Sequence, residues 1–296
     1  MFSGHNRALR TLTRKRIESG TSWHGGGTSF AIRMDSKHDH VRALFEQPEK
    51  YLGPRQYDIE IRVGVVEQFT NQRRFGRVLD IGCGNGSISL PLLRRSDKLT
   101  LVDLSSRMLH LARRRVPADR VKDVELIHGD FLELNFEPGS FDLICCIGVL
   151  AHVASPAEVV ARIRQLAKPG ALVILEFTDS FHFWGIPVVL YQKLLNLMRP
   201  APYRLNRLRR RDVMKICEEN GLEPVEIYRY GLPPLGSSKV LSQEQMFRLT
   251  RFLFGPADRN RNAWMGNQFL CCLEREQSRA ESVGAPEDSL VVANRA

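Results

Sequence analysis

Apolar and polar positions along this chain recur as a unit: a short apolar run, a turn carrying glycine or an acid, then a stretch with helical spacing. The runs are VLDI from Val78, LTLVD from Leu99, VELIH from Val124, FDLICCI from Phe141 and ALVILEF from Ala171. Runs without polar alternation suit strands buried on both faces, and their alternation with helical stretches predicts a parallel sheet covered by helices on both sides. Two later runs, Pro224 to Tyr230 and Gln268 to Glu274, bring the predicted strands to seven. Before the first strand, Asp35 to Gln72 has mostly helical patterning, with Tyr51, Arg55 and Tyr57 on a connection where they can touch a ligand. Near the end, Asp212 to Asn220 is a predicted helix stopped by Gly221. Another covers Gln243 to Phe254, with Met246, Leu249, Phe252 and Leu253 on one face.

The first strand leads into VLDIGCGNGS, Val78 to Ser87, which sets Gly82, Gly84 and Gly86 at alternate positions after the acid Asp80. Glycines there let the backbone turn sharply and approach a ligand without Cβ interference. The residues from Ser87 to Arg95 are expected to open a helix whose first amides favour an anion. A dinucleotide fingerprint would need its third glycine at position 87, where this chain has Ser87, so hydride chemistry is the weaker reading. Downstream, Asp103 ends the second strand seventeen residues after Gly86, and Asp130 with Phe131 ends the third.

These glycines and acids are followed by FDLICCIGVLAHV, which breaks at Gly148, and by KPGALVILEF. In this order they resemble the class I S-adenosylmethionine-dependent methyltransferases over about Arg77 to Phe177. The resemblance implies an α/β fold: a Rossmann-like, doubly wound, mostly parallel seven-stranded sheet with an antiparallel end strand, an N-terminal helical cap and a helical lid inserted after the fifth strand. It implies S-adenosylmethionine as cofactor, held by Asp80, Gly82, Gly84, Asn85, Gly86, Asp103, Leu104, Met108, Asp130, Phe131, Ile147 and Gly148. Within that set it makes Asp103 the acceptor of the ribose hydroxyls and Asp130 the acceptor of the adenine amino group, with Phe131 offering backbone or ring. Ile147 and Gly148 then line the donor sulfur and the acceptor pocket.

A sulfonium methyl is already electrophilic, so the protein must align donor and acceptor and remove a proton. His152, just after the fourth strand, is the candidate base, with His182 second. The implied activity is methyl transfer to an oxygen, nitrogen or carbon of a small molecule. An RNA or tRNA methyltransferase and a non-catalytic S-adenosylmethionine-binding module are the alternatives. The fourth strand ends in IGVLAH rather than an Asn/Asp-Pro-Pro-Tyr type motif, which argues against nucleic acid.

Composition sharpens the boundaries. The net charge of +10 is uneven: Met1 to Arg33 carries six bases against one acid, leaving only +5 for the other 263 residues. Residues 1–33 fit a disordered basic leader; an Arg-rich organelle presequence, or sequence upstream of a true start at Met34, would look the same. Residues 34–275 then form the methyltransferase domain and 276–296 a loose tail. No apolar run approaches the roughly 18 residues that cross a bilayer, and six cysteines without a C-x-x-C pair point to a reducing, cytoplasmic setting without zinc. The expected lid, about 180–212, begins with Phe181, Phe183 and Trp184 and ends with six arginines between Arg199 and Arg211, without an intervening acid. Such a cover suits a partly hydrophobic, anionic or lipid-like acceptor, or contact with a membrane surface.

Overall fold

The structure, a computed structural model, describes residues 41–43, 45–53, 56–183, 186, 190, 205–231 and 240–277. The expected leader 1–33, most of the lid and the tail beyond residue 277 lie outside these residues, as do Arg55 and Trp184. A short helix α1 (Pro48–Leu52) precedes α2 (Gln56–Phe69). The sheet then alternates with helices: β1 (Phe75–Ile81), β2 (Ser96–Asp103), α3 (Ser106–Arg115), β3 (Val124–His128), β4 (Phe141–Cys146), α4 (Pro156–Leu166) and β5 (Ala167–Thr178). It closes with α5 (Arg210–Glu219), β6 (Leu222–Tyr230), α6 (Gln243–Phe254) and β7 (Gln268–Arg275).

The seven strands lie in the order β3-β2-β1-β4-β5-β7-β6, with β7 antiparallel to both neighbours and the other pairings parallel. Alternation along each strand divides the core in two. Val78, Leu143, Leu172 and Ile174 face α2 and α6, while Leu79, Ile144, Val173 and Leu175 face α4 and α5. The order reverses at β1, so the carboxyl ends of β1 and β4 border the crevice where open α/β sheets take ligands.

Local chemistry sets the helix starts. Ser105 accepts from the Met108 amide to cap α3, Ser155 accepts from Glu158 to cap α4, and Ser242 with Gln245 forms a capping box on α6. Each such cap contributes about 1 kcal/mol. Gly221, at φ 61°, ends α5 in a conformation that side chains resist.

Three expectations are corrected. The segment after Gly86 does not open an α-helix; it makes turns and then a 3₁₀ helix over Leu90–Arg95, because Pro91 at its start has no amide to donate and the link to β2 is short. On α6 the buried face is Met246, Thr250 and Phe254, set against α2, while Leu249 and Phe252 are exposed. Tyr57 is not on a connection either: it is buried in α2, with its amide on Gln243 Oε1 at 3.2 Å.

One polar cluster crosses the first core. Arg62 of α2 bridges Asp58 Oδ2 at 3.0 Å and Glu176 Oε1 of β5 at 2.7 Å, and the Tyr230 hydroxyl of β6 donates to Asp58 Oδ1 at 2.6 Å. All four residues are buried. Among the described residues no helix is long and apolar enough to cross a membrane.

Candidate active site

The glycine loop is built by three residues with positive φ: Gly82 at 68°, Gly84 at 55° and Gly86 at 71°. The amides of Gly82 and Cys83 both donate to the Val102 carbonyl, at 2.9 and 3.0 Å, which fastens the loop to the end of β2. Two of the glycines are required by packing: a Cβ on Gly82 would lie 2.5 Å from Val149 Cγ2, and one on Gly86 2.8 Å from Leu90 Cδ1. Gly84 differs, with nothing within 4 Å of its Cβ direction, so the loop opens a cradle there. Asn85 shapes the turn by accepting from the Ser87 amide at 3.2 Å and the Ser87 hydroxyl at 2.7 Å.

Asp103 closes the other side of the loop. Its Oδ2 accepts from the Gly84 amide at 2.8 Å and its Oδ1 from the Ser105 amide at 2.8 Å. Each carboxylate oxygen has two lone-pair directions, so a second acceptor direction remains on both for a ligand diol. Burial raises the Asp103 pKa, opposed by those two amides and by nearby His128. Asp80 is buried in the same corner. Its pKa is pushed up to about 7, first by burial and then by the charge of Asp103, with the Ser89 hydroxyl opposing.

The remaining predicted residues lie at and just beyond the carboxyl ends of β2, β3 and β4. The Leu104 carbonyl receives His128 Nε2 at 3.0 Å, and since a carbonyl only accepts, that nitrogen carries the proton. Met108 is fully buried. Asp130 Oδ1 accepts from the Leu132 amide at 2.9 Å, so the carboxylate also shapes the turn after β3. The Phe131 ring belongs to the second core with Leu79, Ile81 and Val102, which leaves its backbone for the crevice. Ile147 is buried and Gly148, at φ 77°, bends the chain out of β4.

Beyond Gly148, His152 donates its amide to the Val149 carbonyl at 2.8 Å and packs its ring edge-on to Phe45, 5.3 Å between centroids. The Phe45 carbonyl also accepts from the Ser105 hydroxyl at 2.9 Å, and Glu46 accepts from the Ser106 amide at 2.9 Å. The segment before α1 thus joins the ends of β2 and β4 across the glycine loop of β1. His182 lies on the other flank, with Nε2 donating to the Trp264 carbonyl at 2.9 Å and its ring against Phe183. Phe183 stacks on Trp264 at 5.8 Å. Arg209 places its guanidinium 4.0 Å above the Phe181 ring, and Arg207 lies 5.8 Å from it.

Asn206, which sequence reading passed over, ties the returning limb of the insertion to the loop that carries His152. Its side-chain amide donates to the Leu150 carbonyl at 2.9 Å and the Val153 carbonyl at 2.7 Å, and its backbone amide to Ala151 at 2.9 Å. All six cysteines are buried free thiols, held protonated by burial.

A glycine cradle with an open floor at Gly84, bounded by a carboxylate with acceptor directions to spare, fits a nucleoside with a ribose diol. Known proteins agree. A family profile described as a methyltransferase domain matches residues 79–175. A ubiquinone biosynthesis O-methyltransferase from Aromatoleum aromaticum is 31% identical over 162 residues, 54% of this chain and 69% of that protein. Another, from Idiomarina loihiensis, is 26% identical over 189 residues, 63% of this chain and 77% of that protein. Among solved structures, an S-adenosylmethionine-dependent methyltransferase from Thermotoga maritima superposes with a TM-score of 0.57 at 18% identity, over 82% of this chain and 99% of that one. The magnesium protoporphyrin IX methyltransferase of Synechocystis does so with a TM-score of 0.55 at 17% identity, over 80% of this chain and 99% of that one. The chain belongs to the class I S-adenosylmethionine-dependent methyltransferases. It is an enzyme, and S-adenosylmethionine is its methyl donor.

Proposed function

We propose that this methyltransferase acts on a small molecule with an apolar body and an anionic group. In this reading the acceptor enters beside the unit that the loop after β4 and the returning limb of the insertion form through Asn206. The observation that carries it is the Arg209 guanidinium 4.0 Å above the Phe181 ring, which puts cation and apolar surface side by side next to that loop. The relatives' names specify O-methylation in ubiquinone biosynthesis, which supports oxygen as the methylated atom.

S-adenosylmethionine, when bound, supplies an electrophilic sulfonium methyl. The chain holds it through the backbone of Gly82, Gly84, Gly86 and Gly148, through Asp103 toward the ribose hydroxyls and through Asp130 toward the adenine amino group. Residues 34–275 form the catalytic domain in this reading. Its own contribution to the reaction is alignment, exclusion of water and removal of one proton. His152 takes that proton from the acceptor. His182 is the second candidate: with Nε2 donating to Trp264, its basic lone pair is on Nδ1.

The test has two arms. Asp103→Ala should weaken S-adenosylmethionine binding by roughly 10- to 150-fold in calorimetry, as expected for lost hydrogen bonds to a charged group. With an acceptor found by screening metabolite extracts for the mass gain of one methylene, replacing Arg209, Arg210 and Arg211 by Ala should raise KM and leave cofactor affinity nearly unchanged. Unchanged KM in the triple variant sinks the anionic-acceptor reading.

A further inference from the structure

Four apolar side chains on the rim beyond β5 face outward. Phe183 is 47% exposed, Ile186 49%, Leu190 60% and Trp264 64%. Phe183 and Trp264 stack on each other, and Ile186 follows in the same segment, its amide donating to the His182 carbonyl at 3.1 Å. Ile186 and Leu190 follow Phe183 in the chain, and both are exposed. Such side chains at a core-facing position would be buried; here two separate segments expose theirs, and the Phe183–Trp264 stack brings the two segments together.

The charge beside this patch has one sign. Arg207 and Arg209 are exposed and lean over Phe181, and no acid occurs between Arg199 and Arg211. Exposed aromatic and aliphatic side chains, with two arginines at Phe181 just before them in the chain, match the layering of an anionic bilayer, where phosphate attracts the cations and the acyl boundary takes the apolar tips. A nucleic acid would engage the cations and leave Ile186 and Leu190 in water. The rim is also on the side of the sheet where β5 ends: the Ser180 amide donates to the Leu208 carbonyl at 3.0 Å, and Asn206 of that returning limb donates to Leu150 and Val153 of the loop that carries His152.

We propose that this rim is a membrane-docking surface, by which the enzyme rests on an anionic lipid bilayer with its acceptor entrance toward the lipid. The inference extends the amphipathic-acceptor reading, and its test contains no acceptor, so either can fail alone.

The full chain is sedimented with phosphatidylcholine vesicles, with and without phosphatidylglycerol. Wild type should partition onto the anionic vesicles, lose part of that binding in high salt, and shift its tryptophan emission to the blue as Trp264 leaves water. Trp264→Ala and Phe183→Ala should each weaken partitioning by about tenfold, the scale for a half-exposed aromatic entering an apolar boundary. Val121→Ala, at an exposed position before β3, should change nothing. Thermal melting of each variant separates lost docking from lost folding. Absence of wild-type binding to anionic vesicles overturns the proposal, as does binding that high salt abolishes entirely with no emission shift or sensitivity to Phe183 and Trp264.

Discussion

Asp80 and the loop glycines show how much single positions decide. A carboxyl whose pKa is about 7 in the fold and near 3.8 in the unfolded chain is held neutral by burial, so ionising it costs folding free energy. The unfolded state gives up its proton first, so stability from this group falls as pH rises from about 4 to 7 and is level above that. Asp80→Asn should therefore stabilise the ligand-free protein more at pH 8 than at pH 5, by a difference of about 2–3 kcal/mol in denaturant unfolding. An equal gain at both values would show that Asp80 is ionised throughout. For the loop, Gly82→Ala should lower stability by more than Gly84→Ala. Both force a side chain into positive φ, at about 1–2 kcal/mol, but only the Cβ at 82 also meets Val149. Equal melting temperatures for the two variants would contradict that contact.

At the scale of elements, the end of the insertion and the loop after β4 behave as one unit because Asn206 joins them. Asn206→Ala removes two side-chain hydrogen bonds and leaves the glycine loop untouched, so kcat/KM for the acceptor should drop about 10- to 100-fold while calorimetric cofactor affinity stays within about twofold. A matching loss of cofactor affinity would mean that the loop serves the cofactor instead. The strands, the α6 boundaries and the glycine and acid positions were legible in the chain because apolar runs and turn residues are local signals. Three features were not. The 3₁₀ segment at Leu90 depends on how short a path remains to β2, the buried face of α6 depends on where α2 lies, and Asn206 looks like any loop amide until its three partners surround it.

For the molecule as a whole, Arg62 joins the helical layer to the sheet. Removing one member of a buried ion pair strands its partners, so Arg62→Ala should cost about 3–5 kcal/mol in denaturant unfolding, whereas replacing Arg62, Asp58 and Glu176 together by apolar residues of similar volume should cost less. A loss below 1 kcal/mol in the single variant would mean that the cluster is wet. Glu176 was the visible sign of it in the chain, a lone acid within the apolar run ALVILEF, yet nothing in the sequence names Arg62 as its partner.

The strand order also fixes a sequence of events. Among the described residues, β6 has β7 as its sole neighbour in the sheet, and β7 comes later in the chain than the other six strands. While the polypeptide is being synthesised, β5 therefore has an open edge and β6 has nowhere to pair until residues 268–275 emerge. Through that interval the nascent chain presents Ile174, Leu175 and Tyr228, all fully buried in the end, to whatever else is nearby. Synthesis arrested between β6 and β7 would leave a fragment with its glycine loop complete and its sheet unfinished, a natural client for a chaperone.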